Sequence, residues 1–355
     1  MANPIGKTLQ NLPGPVLITG HTGFKGTWMT LLLQQLGISV IGYSLEAEKD
    51  SLYDRANFNG NITEKIGDIR DYKKIKKFIQ KHQPSVIIHM AAQPLVLESY
   101  RIPLETFNIN VMGTANVLDI SFDIKSVQVV LVVTTDKVYR NDNSGRAFIE
   151  TDPLEGKDPY SASKVGTEAV VKAWQQISET SEGPKVVSVR AGNVIGGGDF
   201  AKNRLIPDII RSYVSEVPMV IRNPESTRPW QHVLDPLIGY VKTIEAILDG
   251  NTITSINFGP HTENLKVQEV IDLWNLSFNS LRSLETKYVP SEMLLESKTL
   301  DINSSFANDY LNWQPKWGQF DSICKTFSWW EKHLNENANP RTLCIEDISA
   351  YLNQE

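Results

Sequence analysis

The sequence predicts an α/β fold: a Rossmann-like, doubly wound parallel sheet joined to a smaller, mixed α/β C-terminal substrate domain. Two observations lead there. Short apolar runs recur between amphipathic stretches and are continuous rather than alternating, as expected of parallel strands covered by helices on both faces. The first of these runs leads directly into three evenly spaced glycines, Gly20, Gly23 and Gly26.

Taken in order, Val16-Leu17-Ile18-Thr19 reads as a buried strand. After the glycines, Trp28, Met29, Leu31, Leu32 and Leu36 recur at helical spacing, and Gly37 ends that helix. Val40 to Tyr43 is the second strand, which completes a β-α-β unit. A short strand precedes Gly67-Asp68-Ile69. Tyr72 to His82 is a charged amphipathic helix, Val86 to His89 a strand, Phe107 to Phe122 a helix, and Val129 to Val133 a very apolar strand. A helix near 159–176 leads to the strand Val186–Val189. Beyond it the alternation is expected to stop, because Gly196-Gly197-Gly198 and four prolines from Pro207 to Pro229 interrupt the chain. Trp230, Trp274, Trp313, Trp317, Trp329 and Trp330 lie in the mixed segment that follows, and the tail from Trp313 to Trp330 is expected to pack the small domain. The expected division is residues 1–191 with about 232–260 as a nucleotide-binding domain, and 192–231 with about 261–355 as a substrate domain.

Composition narrows the function. The chain has 355 residues with a net charge of −6, and 41% of them are hydrophobic. The mild acidity, with no long Lys/Arg run, argues against a nucleic-acid or anionic-membrane partner. Cys324 and Cys344 make neither a disulfide framework nor a metal-ligand spacing. The N-terminal stretch is short and polar, unlike a secretory signal, and no apolar run approaches the roughly 18 residues of a membrane span. A cytoplasmic enzyme is the expectation. Neither H-E-x-x-H nor G-x-S-x-G occurs, so metal-dependent and serine-hydrolase chemistry have no motif to support them.

Four groups of residues can carry chemistry. The glycine loop follows a strand and opens a helix, the context in which a backbone approaches a pyrophosphate at a helix N-terminus. It is not a P-loop, because Lys25 precedes the last glycine. Glu46, beyond the second strand, is the acidic residue available for an adenosine ribose, and Asp68 can accept from an adenine amine or cap the next helix. Tyr160 and Lys164, spaced i, i+4, share a helix face. An ammonium beside a phenol is expected to lower the phenol's pKa and make it a general base for an alcohol proton. Thr134-Thr135-Asp136-Lys137 ends an apolar strand at the carboxyl edge of the sheet, where doubly wound folds bind ligands. His89 reads as a core residue, whereas His21, within the glycine loop, could touch phosphate.

Thr19-Gly20-x-x-Gly23-x-x-Gly26, then Tyr160-x-x-x-Lys164, then a variable C-terminal segment resembles the extended short-chain dehydrogenase/reductase superfamily. The strings Gly20–Gly26, Ala91–Val96, Asn110–Thr114, Thr134–Lys137, Arg190–Asp199 and Arg228–Val233 resemble its NAD-dependent sugar-nucleotide epimerase/dehydratase family, and within it the branch that dehydrates CDP-glucose. Lys137 narrows the match, since the dTDP-glucose and GDP-mannose branches carry Glu there. The resemblance implies that NAD is held by Gly20, Thr22, Gly23, Phe24, Lys25, Gly26, Asp68, Ile69, Ala91, Ala92, Gln93, Thr134, Tyr160 and Lys164. It implies CDP-glucose or a related sugar nucleotide as partner, with Ser99, Tyr100, Asn193, Arg204 and Arg228 against it. Tyr160, Thr135 and Lys164 then serve oxidation at carbon 4. Asp136 protonates the hydroxyl leaving carbon 6, and Lys137 is either the base at carbon 5 or a charged stabiliser. A homodimer or homotetramer, built on a four-helix bundle, is implied as well. The family's pattern over residues 276–300 is largely missing; Glu296 and Asp301 are what remains of it.

Overall fold

The computed structural model describes residues 5–58, 61–142, 144–260, 265–277, 284–289 and 300–354; Glu296 lies outside them. Seven parallel strands form the central sheet: β1 (Val16–Thr19), β2 (Val40–Ser44), β3 (Thr63–Ile66), β4 (Val86–His89), β5 (Val129–Val133), β6 (Lys185–Ala191) and β7 (Ser255–Phe258). The main helices are α1 (Phe24–Gln35), α2 (Tyr72–His82), α3 (Gly113–Phe122), α4 (Pro159–Thr180), α5 (Leu205–Ser215), α6 (Leu234–Leu248), α7 (Val267–Ser277), α8 (Gln319–Asn335) and α9 (Pro340–Asn353). Strand order is β7-β6-β5-β4-β1-β2-β3, so the order reverses between β1 and β4, the place where such sheets open a ligand crevice.

Both faces of the sheet are buried, as the unbroken apolar runs require. Val16, Ile18, Val86, Ile88, Val129 and Leu131 face one apolar cluster with α1 and α6, while Leu17, Ile87, Val130 and Val132 face another with α2, α3 and α4. Only the short edge strand β3 is exposed along its length.

The expectation that the alternation stops after β6 is corrected. Helix α6 and strand β7 continue it, with Ser255 to Phe258 in parallel register beside Ser188 to Ala191. The glycines and prolines of 196–229 form an excursion instead. That excursion holds α5, and three two-stranded ribbons flank it or tie it to the segments beyond β7: 194–195 with 231–232, 219–221 with 286–288, and 227–228 with 265–266. The six C-terminal tryptophans are buried, Trp274 completely, in agreement with a packing role. Leu343, Ile348 and Tyr351 of α9 belong to the same cluster as Trp28 of α1, so the tail closes back on the glycine-loop helix.

Candidate active site

Two of the three loop glycines have a steric reason, and the third leaves space. Gly20 has φ of 77°, and a β-carbon there would lie 2.7 Å from the Ala91 amide nitrogen. At Gly26 a β-carbon would strike the Gly20 carbonyl oxygen, so this glycine lets α1 start directly against β1. At Gly23 it would meet only the Gly20 carbonyl oxygen, at 3.4 Å, leaving one side of the loop open to a ligand at the helix N-terminus. The Thr22 hydroxyl bonds Ser44 Oγ (2.7 Å) and donates to the Leu45 carbonyl (3.0 Å), tying the loop to the end of β2.

His21 is corrected to a structural residue. Its ring is fully buried over Gly42, with Nε2 2.7 Å from Glu64 Oε2, and burial outweighs that carboxylate to hold its pKa below the ordinary value. His89 is a core residue as expected. It bridges Thr19 Oγ1 (2.7 Å) and Thr114 Oγ1 (3.0 Å), and burial drops it to about 3. Asp68 does not cap α2; Asp71 does, accepting from the Lys74 amide at 3.1 Å. Arg70 holds both Asp68 oxygens, Nε donating to Oδ1 at 3.1 Å and Nη2 to Oδ2 at 2.6 Å. These bonds keep the carboxyl below its ordinary range despite partial burial. Ile69 is buried against Gly113, and Glu46 is exposed beyond the end of β2. Ala91, Ala92 and Gln93 follow β4 across the crevice. The Ala91 amide donates to Thr19 Oγ1 (3.3 Å), and the Gln93 amide donates to Asn110 Oδ1 (2.8 Å). No role for Asn110 is apparent from the sequence. It sits in a single π-turn, 108–112, and its side-chain amide joins Gln93 O (3.1 Å) to Ser163 Oγ (2.8 Å) on α4.

The four residues from Thr134 to Lys137 turn at the carboxyl end of β5, and α4 lays Tyr160 and Lys164 beside them. Asp158 caps α4 and shares a capping box with Ser161, so the first turn carrying Tyr160 is held from both sides. The Thr135 hydroxyl lies 2.9 Å from Asp136 Oδ1 and also hydrogen-bonds Tyr160. Lys137 Nζ is 3.6 Å from Asp136 Oδ1, with Asp136 2% exposed and Lys137 25%, so the pair is not a solvated turn. Lys164 Nζ donates to the Val133 carbonyl at 3.1 Å; burial, opposed by Glu168, lowers it to about 8.

Tyr160 departs from expectation. Burial raises its pKa to about 12; the Thr135 hydrogen bond and the Arg204 charge oppose this, while Asp136 and Asp158 add to it. The i, i+4 spacing does bring Lys164 to the same face, but the ammonium is directed at the Val133 carbonyl. Lys25 joins this cluster from α1. Its Nζ donates to Tyr240 Oη at 3.1 Å, and burial with the charges of Arg204 and Lys164 lowers it to about 7 against the pull of Asp136.

Arg204 enters at the N-terminus of α5, bound to Asp199 at 3.0 Å. Arg228 donates to the Thr227 carbonyl, and the neighbouring Pro229 passes beside Asp136 across Gly192. Asn193 is half-buried, with its carbonyl accepting from the Gln231 amide at 3.1 Å. Tyr100 is 44% exposed on the short helix 96–101. Ser99 is corrected: it is fully buried, donating to Val96 O and accepting from the Tyr160 amide at 3.1 Å, so it supports α4 rather than lining a pocket. Thr134, expected at the cofactor, donates its hydroxyl to Glu168 Oε1 at 2.5 Å.

A dinucleotide-type glycine loop thus faces, across one crevice, a Tyr–Lys helix and a Thr-Asp-Lys turn. The family described as GDP-mannose 4,6 dehydratase matches residues 17–327. A CDP-glucose 4,6-dehydratase of Salmonella typhimurium is 40% identical over 327 residues, covering 88% of this chain and 89% of its own. In fold, the chain is similar to dTDP-glucose 4,6-dehydratase of Bacillus anthracis in complex with NAD (TM-score 0.76, 21% identity, 91% and 98% of the two chains). It is likewise similar to UDP-glucose 4-epimerase of Stenotrophomonas maltophila with bound NAD (TM-score 0.78, 20% identity, 92% and 100%). The chain belongs to the GDP-mannose 4,6 dehydratase family.

Proposed function

We propose that this chain is a hydro-lyase that converts CDP-glucose to CDP-4-dehydro-6-deoxyglucose and water, with NAD as a resident cofactor. Identity with the Salmonella enzyme supports the substrate, and the open side of Gly23 supports a dinucleotide at the N-terminus of α1. The observation that carries the reading is the Asp136–Lys137 pair, its carboxylate buried beside Thr135 and Tyr160 and its lysine partly exposed. Oxidation at carbon 4 needs only the Tyr–Lys–Thr group; elimination across carbons 5 and 6 needs a second acid–base pair, which an epimerase would not use. In this reading residues 1–191 and 232–260 hold NAD, and 192–231 with 261–355 hold the sugar nucleotide.

NAD, when bound, supplies a positive ring that takes a hydride from carbon 4 and returns it to carbon 6. The residues of the chain move the protons. Tyr160 takes the proton of the 4-hydroxyl, and Thr135 holds that oxygen. Lys164, held at the Val133 carbonyl one helical turn beyond Tyr160, adds a positive charge to the site. Once carbon 4 is a ketone, the carbon 5 proton is acidic. Asp136 Oδ1 and Lys137 Nζ lie 3.6 Å apart, close enough for a proton to pass between them in this reading. With that proton on Asp136, the Lys137 amine is free to take the carbon 5 proton as Asp136 donates to the hydroxyl leaving carbon 6. The ammonium so formed then protonates carbon 5 as hydride reaches carbon 6, and the proton that Tyr160 took passes through the Thr135 hydroxyl to Asp136. Atoms balance as one water lost, and no external oxidant is consumed. Arg204 and Arg228 supply cations for the diphosphate.

We also read the chain as pairing with a second copy. Leu97, Leu104, Phe107, Met112 and Ile177 are exposed apolar side chains, Leu104 at 83%. They are carried by the short helices and turn of 96–112 and by α4. Among the described residues no helix is long and apolar enough to cross a membrane, and no cluster of metal-ligating side chains occurs.

Incubation with NAD and, separately, CDP-, dTDP-, UDP- and GDP-hexoses, followed by mass spectrometry, tests the reading. A product lighter by one water from CDP-glucose is expected. An isomer of unchanged mass would mark an epimerase and overturn the assignment.

A further inference from the structure

Behind the candidate catalytic residues lies an ion pair that the proposed reaction does not use. Glu168 and Arg190, 6% and 5% exposed at the side chain, meet through Nε–Oε1 and Nη2–Oε2 contacts, both 2.9 Å. A bidentate pair of this kind is geometrically exacting. Each partner has a second set of bonds. Glu168 accepts from the Thr134 hydroxyl (2.5 Å) and the Ser188 hydroxyl (2.8 Å). Arg190 Nη1 donates to Tyr139 Oη (2.9 Å) and to the Glu150 carbonyl (3.0 Å), and the Tyr139 hydroxyl donates to Asn257 Oδ1 on β7 (2.7 Å). Burial opposes ionisation of Glu168, but the bonds and charge of Arg190, with the two hydroxyls, hold its carboxyl below the ordinary range.

Thr134 and Tyr139 bracket Thr135, Asp136, Lys137 and Val138, so one buried pair grips the catalytic turn at both ends. Glu168 also stands one helical turn beyond Lys164 on the helix that carries Tyr160. All five candidate catalytic residues are therefore referred to a single buried junction between α4, β5 and β6.

We propose that Glu168 and Arg190 are positioning residues, a clamp that sets the Thr135-Asp136-Lys137 turn against the Tyr160–Lys164 helix. The proposal rests on the dehydratase reading for its kinetic consequence and on the structure alone for its mechanical one, and its test separates the two.

Thr134→Val removes the grip at one end and Tyr139→Phe at the other, each with the ion pair left in place. Hydrogen–deuterium exchange of the peptide spanning 134–139 is expected to quicken in both, while peptides from β1 and β2 stay as in the parent. Steady-state turnover of CDP-glucose is expected to show kcat lowered about tenfold, as for one lost aligning hydrogen bond, with KM unchanged. Thr134→Ser keeps the hydroxyl and is expected to recover most of the kcat lost in Thr134→Val. Glu168→Gln is the stronger perturbation; if it fails to fold, the two milder variants decide. The clamp is overturned if exchange over 134–139 is unaltered in both, or if both retain parental kcat. A parent inactive on every sugar nucleotide sinks the functional reading instead, and the exchange data then still judge the clamp.

Discussion

At Tyr160, burial raises the phenol's pKa while the Thr135 hydrogen bond and the Arg204 charge lower it, and in the chain alone burial prevails. The spacing of Tyr160 and Lys164 is readable in the sequence because i, i+4 residues share a helix face. The pKa is not, because it depends on where the ammonium points, and that is set by the Val133 carbonyl. The NAD-free parent, compared with Tyr160→Phe, is therefore expected to show no tyrosinate absorbance from this residue up to pH 10; a band at pH 8 would contradict the burial account. Tyr160→Phe itself should lower kcat by roughly 10²–10⁴-fold, the usual worth of a general acid–base group, with an unchanged far-ultraviolet circular dichroism spectrum. Glu168 and Arg190 escape a reading of the sequence for a similar reason: 22 residues separate them, and only the register of β6 beside β5 brings them under Thr134. By contrast, Gly20, Gly23 and Gly26 are legible, since their spacing between a strand and a helix is local to the sequence.

Among the elements, β1, β2 and β4 to β6 follow directly from their apolar runs, whereas β3, Thr63–Ile66, has none, and α2 is found over the residues expected, 72–82. Strand β7 is hidden behind the glycine- and proline-rich excursion, which breaks the periodicity without breaking the sheet. The first turn of α6 shows how the C-terminal segment is attached. There Asp235 Oδ1 accepts from the Tyr351 hydroxyl of α9 (2.5 Å) and from the Lys316 amide (2.9 Å), while its Oδ2 is buried with no hydrogen-bond partner. Burial, against those two bonds and the Lys316 charge, raises this carboxyl from 3.8 to about 7. The folded chain then holds a proton that the unfolded chain releases, so the stability contributed at Asp235 is fully present below about pH 3.8 and lost as pH rises to about 7. Thermal unfolding of Asp235→Asn should accordingly fall less steeply from pH 5 to 7 than that of the parent. Parallel curves for the two proteins would refute this. Gly26→Ala should cost several-fold more stability than an ordinary helix Gly→Ala change gains, roughly 0.5–1 kcal/mol, because its β-carbon meets the Gly20 carbonyl oxygen. Chemical denaturation measures that loss.

For the molecule as a whole, the crevice at the β1–β4 reversal brings together charges from distant parts of the chain: Lys25 from α1, Asp136 and Lys137 after β5, Lys164 from α4 and Arg204 before α5. Cations outnumber carboxylates there, which suits a diphosphate-bearing substrate. On the outer surface, Leu104→Glu is expected to shift the sedimenting species from dimer to monomer, and a parent already monomeric at micromolar concentration would dismiss the pairing. The central claim is that two electrons leave carbon 4 of the hexose and return to carbon 6 of the same molecule while water departs. Incubation of CDP-glucose deuterated at carbon 4, read by mass and proton magnetic resonance, tests it most directly. The account predicts a product lighter by one water that keeps its deuterium, now in the methyl group at carbon 6. A product of unchanged mass with deuterium still at carbon 4 would contradict it.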